Sequence, residues 1–369
     1  MRFILIILGM GLLTGCTNRS YTPTVPEALE VGTPYTVFAA SSRAKDSKGT
    51  FGHERSSQTS LLELTVSIPP SHKPGELDFA YANPKPDTQF TMAERKQFSS
   101  PAEFQSRLRE KIRENGSNAR EVTVFVHGYN ATQAETAFRA AQLAHDIDLP
   151  GALVIYSWPS RGKPFGYAYD SDSMLFARDG LEQLLNHLRG SGVENIILVA
   201  HSMGSALSLE TLRQAEIREP GWAEKTLAGV VLISPDLDVD VFRTQMSRFE
   251  TVPQPFILMV SEKDKALNLS SRLRGTTERK RLGNSSDLSQ LSDLPIEVID
   301  TTEFSSDAYS SHFVAATSPA LLAIFDDLRR MGRTFGPNGV LNEQMLPGVT
   351  IRKDQATRTT ISAPNEPSH

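Results

Sequence analysis

Ile196-Ile197-Leu198-Val199-Ala200-His201-Ser202-Met203-Gly204 is an apolar run that stops at a serine among small residues. Residues 196–200 read as a buried strand, and residues 205–218 read as a helix. Strand, sharp turn with serine, and helix form the setting of a nucleophile elbow, which presents the hydroxyl at the end of a sheet. Such a turn holds the serine at a strained backbone position, and bulky residues two places away would collide across it. Gly204 meets that need on one side, while Ala200 stands where a glycine is usual on the other. An ordinary strand-to-helix turn that carries a serine is the plainer alternative, and the rest of the chain bears on the choice.

Outward from the elbow, short apolar runs alternate with helical patterns. Strands are expected at 35–40, 62–68, 122–126, 153–156, 228–233, 256–260 and 296–299. A polar segment lies between the first two, and another meanders to about Gln97. Ser100-Pro101-Ala102-Glu103 is a capping box that starts a helix running to about Glu114. Thr132 and Glu135 form a second box, ahead of Ala134, Ala137, Phe138, Ala141 and Ala144 at helical spacing. Residues 172–188 and 318–331 read as further helices. This alternation predicts an α/β fold, a mostly parallel central sheet with helices on both faces.

A serine hydroxyl is a weak nucleophile and needs a base, which in turn needs an acid to orient it. In an elbow fold the partners follow in the order serine, acid, histidine. Of eight histidines only His312 and His369 come after Ser202, and His369 ends a polar tail, so His312 is the expected base. Acid candidates follow two strands: Asp264 after 256–260, and Asp236, Asp238 and Asp240 after 228–233. Asp236 belongs to an alternating acidic run that looks like a solvated turn or strand edge. Asp264 stands where a helix can begin, so a helix cap is its plainer role. Lys263 and Lys265 beside it favour the ionised carboxylate. An oxyanion needs backbone N–H donors: Met203 after the serine, and Tyr129 in the loop after 122–126, where Gly128 permits close approach. His127 reads as a residue that shapes this loop, and His201 as packing beside the elbow. Trp158 could line an acyl pocket or pack a strand end.

V-F-V-H-G-Y-N (124–130), I-Y-S-W-P-S (155–160), V-A-H-S-M-G (199–204) and S-E-K-D-K-A-L (261–267) resemble the esterase/lipase superfamily. In particular they are similar to an uncharacterised bacterial alpha/beta-hydrolase family, domain of unknown function nine hundred. V-F-A-A-S-S-R (37–43), F-G-H-E-R (51–55), V-S-I-P-P (66–70) and R-L-G (281–283) extend the match over roughly 35–331. The resemblance implies an alpha/beta-hydrolase fold. It also implies hydrolysis of an ester or related acyl bond through Ser202, His312 and Asp264, since the acid two strands after the elbow is the commoner arrangement there. It names no substrate and leaves Arg43 and Arg55 without a role.

The chain has 369 residues, 39% hydrophobic and 22% charged, with net charge -5. That suits one large globular domain and leaves no electrostatic footprint for nucleic acid. Arg2 precedes an apolar stretch at 3–13 that is too short to span a bilayer. Leu13-Thr14-Gly15-Cys16 follows, and Cys16 is the single cysteine. This resembles a bacterial lipobox, which implies a signal peptide at 1–15, lipidation of Cys16, and a lipid anchor in the bacterial envelope, on the periplasmic side of the outer membrane since Thr17 rather than Asp follows. Residues 16–34 then read as a tether, 35–331 as the hydrolase domain and 332–369 as a loose tail. No H-E-x-x-H, cysteine cluster or phosphate loop appears, so neither metal nor cofactor is expected. Basic residues cluster between Arg272 and Arg281; a solvated helix face is the first reading, anionic lipid headgroups or an acidic substrate the second. The expected partner is an acyl-ester small molecule or lipid. A catalytically silent envelope module that keeps the fold to bind a partner is the rival, and a complete serine-acid-histidine set argues against it.

Overall fold

The computed structural model describes residues 19–115, 120–163, 166–275, 281–284, 289–304, 312, 317–318, 350–354 and 358–362. Cys16, the apolar stretch before it and the expected helix beyond Ser318 lie outside the described residues.

β4 (Glu121–Val126), β5 (Ala152–Ser157), β6 (Asn195–His201), β7 (Gly229–Ile233) and β8 (Phe256–Val260) are almost continuously apolar. Strands covered on both faces need that composition. They join β1 (Thr33–Lys45), β2 (Phe51–Ile68), β3 (Thr91–Gln97), β9 (Glu297–Asp300), β10 (Thr350–Asp354) and β11 (Arg358–Ser362) in one sheet, ordered β10-β11-β9-β8-β7-β6-β4-β5-β1-β2-β3. From β11 to β1 every neighbouring pair is parallel; β10, β2 and β3 pair antiparallel at the edges. The helices are α1 (Pro101–Glu114), α2 (Gln133–Asp146), α3 (Tyr167–Phe176), α4 (Arg178–Gly190), α5 (Met203–Arg218), α6 (Trp222–Thr226), α7 (Val239–Met246) and α8 (Lys265–Leu273). Phe104, Leu108, Leu181, Leu184, Leu207 and Trp222 fill one side of the sheet, and Phe138, Ala137 and Ala141 of α2 the other. The Thr132 box forms as the sequence predicts, with Thr132 and Glu135 bonding reciprocally; at Ser100 only half of the box forms, since Ser100 accepts from the Glu103 N–H while the Glu103 carboxylate accepts from Ser99 N–H and Oγ–H.

Five features differ from the sequence reading. The polar stretch between the first two strands is strand: Ser41 pairs with Ser60, Arg43 with Arg55 and Lys45 with Phe51. Its polarity hid burial, because Arg43 turns inward and its donors find four oxygens and His127 Nε2 there. β3 read as meander because only its first three residues are buried; the other four are exposed, three of them charged, as edge strands use against mispairing. The helix expected from 172 to 188 is two helices that meet at Ala177. The expected tether is folded from Arg19 onward, with Val25 N–H bonded to Met92 O at 2.9 Å and Ala28 fully buried. The expected tail supplies β10 and β11, with β11 added parallel to β9. They form a hairpin, and β11 joins the sheet through β9, some sixty residues back in the chain.

Candidate active site

In the parallel block the carboxyl ends of β4 to β8 form one rim, where such sheets bind ligands. Ser202 sits there between β6 and α5, with φ 53° and ψ -122°. A serine in that region is strained and persists only where its surroundings over-determine it. Here Ser202 N–H donates to Ile233 O at 2.9 Å, and Ser202 O accepts from Ser205 N–H at 3.0 Å and Asp236 N–H at 3.2 Å. Ala200 is fully buried, and its carbonyl accepts from Ser205 Oγ at 3.0 Å.

The loop after β4 locks against this turn. A methyl group on Gly128 would lie 2.8 Å from Ser202 Cβ and 2.8 Å from His201 Nδ1. That closeness carries the peptide bearing Tyr129 N–H next to the serine. Met203 opens α5, so its N–H has no acceptor within the helix and stands at the positive end of the dipole. On Gly204, a methyl would lie 2.3 Å from His127 O and 2.6 Å from Val126 O, both backbone atoms. Gly204→Ala is therefore expected to lower stability by about 1–3 kcal/mol through forced separation of α5 and β4. The urea midpoint measures it, and an unchanged midpoint would mean that the two backbones have room to part.

His312 reaches the rim from beyond β9. Its Nε2 lies 3.0 Å from Ser202 Oγ and its Nδ1 lies 2.7 Å from Asp264 Oδ2. A carboxylate only accepts, so Nδ1 carries the proton and Nε2 is left to accept from the serine hydroxyl. Asp264 is fully buried at the start of α8, and its other oxygen, Oδ1, accepts Leu267 N–H at 3.0 Å. One carboxylate thus caps a helix and accepts from a histidine. Lys263 and Lys265 are exposed.

Asp236 is not the solvated turn that its acidic neighbours suggest. It is 2% exposed, and its Oδ1 accepts from Arg281 Nε at 2.7 Å and Ser270 Oγ at 2.7 Å. Its Oδ2 accepts from the Tyr167 hydroxyl at 2.8 Å. Asp238 caps α7 through the Asp240 N–H, and Asp240 is exposed.

The remaining polar residues build the walls. Arg43 is 2% exposed and donates to Ser157 Oγ (2.9 Å), Gly52 O (2.9 Å), Ser160 O (2.9 Å) and Ala131 O (2.7 Å). It ties the loops after β4 and β5 to β2. Asp170, which sequence reasoning passed over, completes the tie by accepting from Ser160 Oγ (2.5 Å) and Arg161 N–H (2.6 Å). Burial pushes its carboxyl above the usual range. Arg55 reaches α3 through Ser173 Oγ at 3.0 Å and lies over the Tyr169 ring. Nothing in local sequence separates these residues from solvated charges; the inward turn of the strand does.

Trp158 is a packed strand end: fully buried, it stacks on His127 at 4.9 Å and donates Nε1–H to His127 O at 2.7 Å. His201 does more than pack, since its Nε2 lies 3.0 Å from His312 O. Burial, with the Arg43 charge second, pushes His127 down to about 3. The unfolded chain then binds a proton near pH 6.5 that the folded chain refuses, so this stability is present above pH 6.5 and lost as pH falls toward 3. At pH 5 the loss is about 2 kcal/mol. The difference in unfolding free energy between pH 7 and 5 should shrink by that amount in His127→Gln; an identical difference would mean that His127 charges freely in the fold.

A family model described as an alpha/beta hydrolase of unknown function (DUF900) matches residues 100–329. No curated protein matches the chain. Among solved structures, esterase 2 of Thermogutta terrifontis is 11% identical, over 75% of this chain and 92% of that one, with TM-score 0.32. A YdeN-like hydrolase of Pectobacterium atrosepticum is 14% identical over 61% and 98%, with TM-score 0.34. Est1E of Butyrivibrio proteoclasticus is 9% identical over 74% and 96%, with TM-score 0.34. At TM-scores of this size nothing about a reaction passes from them to this chain. The family model spans well over half of the sequence and includes the elbow, the loop after β4 and both partners of Ser202, and so the chain belongs to the alpha/beta hydrolase family of unknown function DUF900.

Proposed function

We propose that the protein is a serine hydrolase that cleaves an ester or related acyl bond through an acyl-enzyme. Ser202 Oγ attacks the carbonyl carbon while His312 Nε2 takes its proton. Asp264 orients His312 and stabilises its cationic form. The N–H groups of Met203 and Tyr129 receive the developing oxyanion. The imidazolium returns its proton to the leaving oxygen, and water, deprotonated in turn by His312, releases the acid and restores Ser202. The observation that carries this reading is the unbroken chain Asp264 Oδ2, His312 Nδ1, His312 Nε2, Ser202 Oγ, with links of 2.7 and 3.0 Å, ending at a strained turn. A fluorophosphonate reagent tests it, because such reagents need an activated serine. Peptide mapping should find the adduct on Ser202; an unlabelled, folded protein would leave the silent binding module as the better reading.

The same proposal includes a lipid anchor at Cys16 in the bacterial envelope, resting on Leu13-Thr14-Gly15-Cys16 after a short apolar stretch. Mass spectrometry of the mature N-terminus should find acylated Cys16. An unmodified cysteine, or cleavage elsewhere, overturns this part alone.

A further inference from the structure

α8 begins at Asp264, at the carboxyl end of β8. In its middle, Ser270 bonds to Asp236, just beyond β7. Just past its end, Arg274 Nε donates to the Tyr167 hydroxyl at 2.7 Å, and the Tyr167 ring lies 5.5 Å from that of Tyr129, just beyond β4. The helix therefore crosses the strand ends instead of packing along the sheet. Its nine residues rise about 14 Å. It roofs the rim at Asp236, whose N–H bonds to Ser202 O.

The outer face of this roof is apolar and cationic. Leu269 and Leu273, one turn apart, are 57% and 56% exposed, and Ala266 is exposed on the same stripe. Leu267 and Ser270 face inward and are buried. Within the described residues 262–274, Lys263, Lys265, Arg272 and Arg274 are exposed around the stripe, against one exposed carboxylate, Glu262. An amphipathic helix with cations beside exposed leucines suits an anionic lipid surface.

A second, independent feature points the same way. Arg19 is fastened to the same rim: it donates to Glu135 Oε1 (2.8 Å), Asn130 Oδ1 (2.8 Å), Asn130 O (3.1 Å) and Gly162 O (2.7 Å). Asn130 is the neighbour of Tyr129. Cys16 is three residues before Arg19, a reach of at most about 10 Å. A lipid on Cys16 would therefore be leashed within that reach of Arg19.

We propose that the outer face of α8, through Leu269, Leu273 and the cations around them, docks on the anionic bilayer that holds the lipidated N-terminus, and that the bond cleaved is an acyl ester of a lipid in that bilayer. The substrate part rests on the serine hydrolase reading; the docking part does not. Together the acyl chains of Cys16 and the α8 face give two membrane contacts, which fix the orientation that one flexible anchor would leave free.

The test uses the full lipidated chain reconstituted in vesicles of phosphatidylcholine with or without phosphatidylglycerol. Two substrates are compared: soluble p-nitrophenyl butyrate, and a phosphatidylglycerol carrying a self-quenched fluorescent acyl chain. The double variant L269E/L273E should hydrolyse the soluble ester within about twofold of wild type and the vesicle lipid about tenfold more slowly. Equal loss on both substrates, or none on the lipid, overturns the proposal. Separately, Leu269→Cys labelled with an environment-sensitive fluorophore should shift its emission to the blue on vesicles with phosphatidylglycerol and be quenched by brominated acyl chains. No shift overturns the docking surface whatever the activity. Insertion without cleavage of either ester by the wild type supports the surface and sinks the hydrolase reading instead.

Discussion

Ser202→Ala should lose fluorophosphonate labelling altogether and slow p-nitrophenyl ester turnover by on the order of 10³-fold or more. The loss should come without loss of fold. The turn is fixed by backbone bonds from Ser202 N–H to Ile233 O and from Ser205 and Asp236 N–H to Ser202 O, none of which uses the hydroxyl. Oγ has its partner in His312, at 3.0 Å. On the proposed reading, removing it takes away the attacking atom and leaves the elbow as it was, so the urea midpoint should hold while the rate collapses. Turnover near the wild-type rate by a folded variant would place the reaction at another group.

Asp264→Asn should be the second most damaging substitution, by up to about 10⁴-fold in turnover. The two oxygens of Asp264 serve different donors, Leu267 N–H at 3.0 Å and His312 Nδ1 at 2.7 Å. Asparagine has one oxygen. If it stays on the helix cap, its NH₂ faces Nδ1, which must then accept; the ring proton moves to Nε2, and the base toward Ser202 is gone. Asp264→Ser separates capping from orientation, because serine is a good cap but too short to reach His312. It should keep the midpoint within about 1 kcal/mol and still lose the rate. A Ser variant with full activity would make Asp264 a cap and nothing more. Asp236→Asn should show the opposite pattern. It leaves Arg281, 5% exposed, without its anion, and breaking a buried pair costs about 3–5 kcal/mol. Turnover per folded molecule should change little. The reverse pattern between the two variants would move the orienting role to Asp236.

The parallel strands were legible because a strand buried on both faces must be apolar along its length, as in Phe256–Val260 and Gly229–Ile233. The start of α2 was legible because its cap is local, Thr132 bonding Glu135 three residues on. The same locality explains the misses. β11 joins the sheet through β9, far back in the chain, and β3 buries too few residues to show a pattern. Nor does sequence distinguish a solvated arginine from Arg43, whose guanidinium meets oxygens on three separate stretches.

The sequence by itself determined the α/β class, the elbow at Ser202 and, by elimination among eight histidines, His312 as the only histidine after it outside the polar tail. These follow from periodicity and order along the chain, which are local or one-dimensional properties. Only the tertiary structure decided which carboxylate meets His312. Asp236 and Asp264 both follow strands to the same rim, but Asp236 is claimed by Arg281, Ser270 and Tyr167 while Asp264 keeps one oxygen for Nδ1. It also decided that α8 lies across the rim with Leu269 and Leu273 outward. A carboxylate's partner and a helix's outer face are set by what the rest of the chain brings beside them, and that proximity is written in no single stretch of sequence.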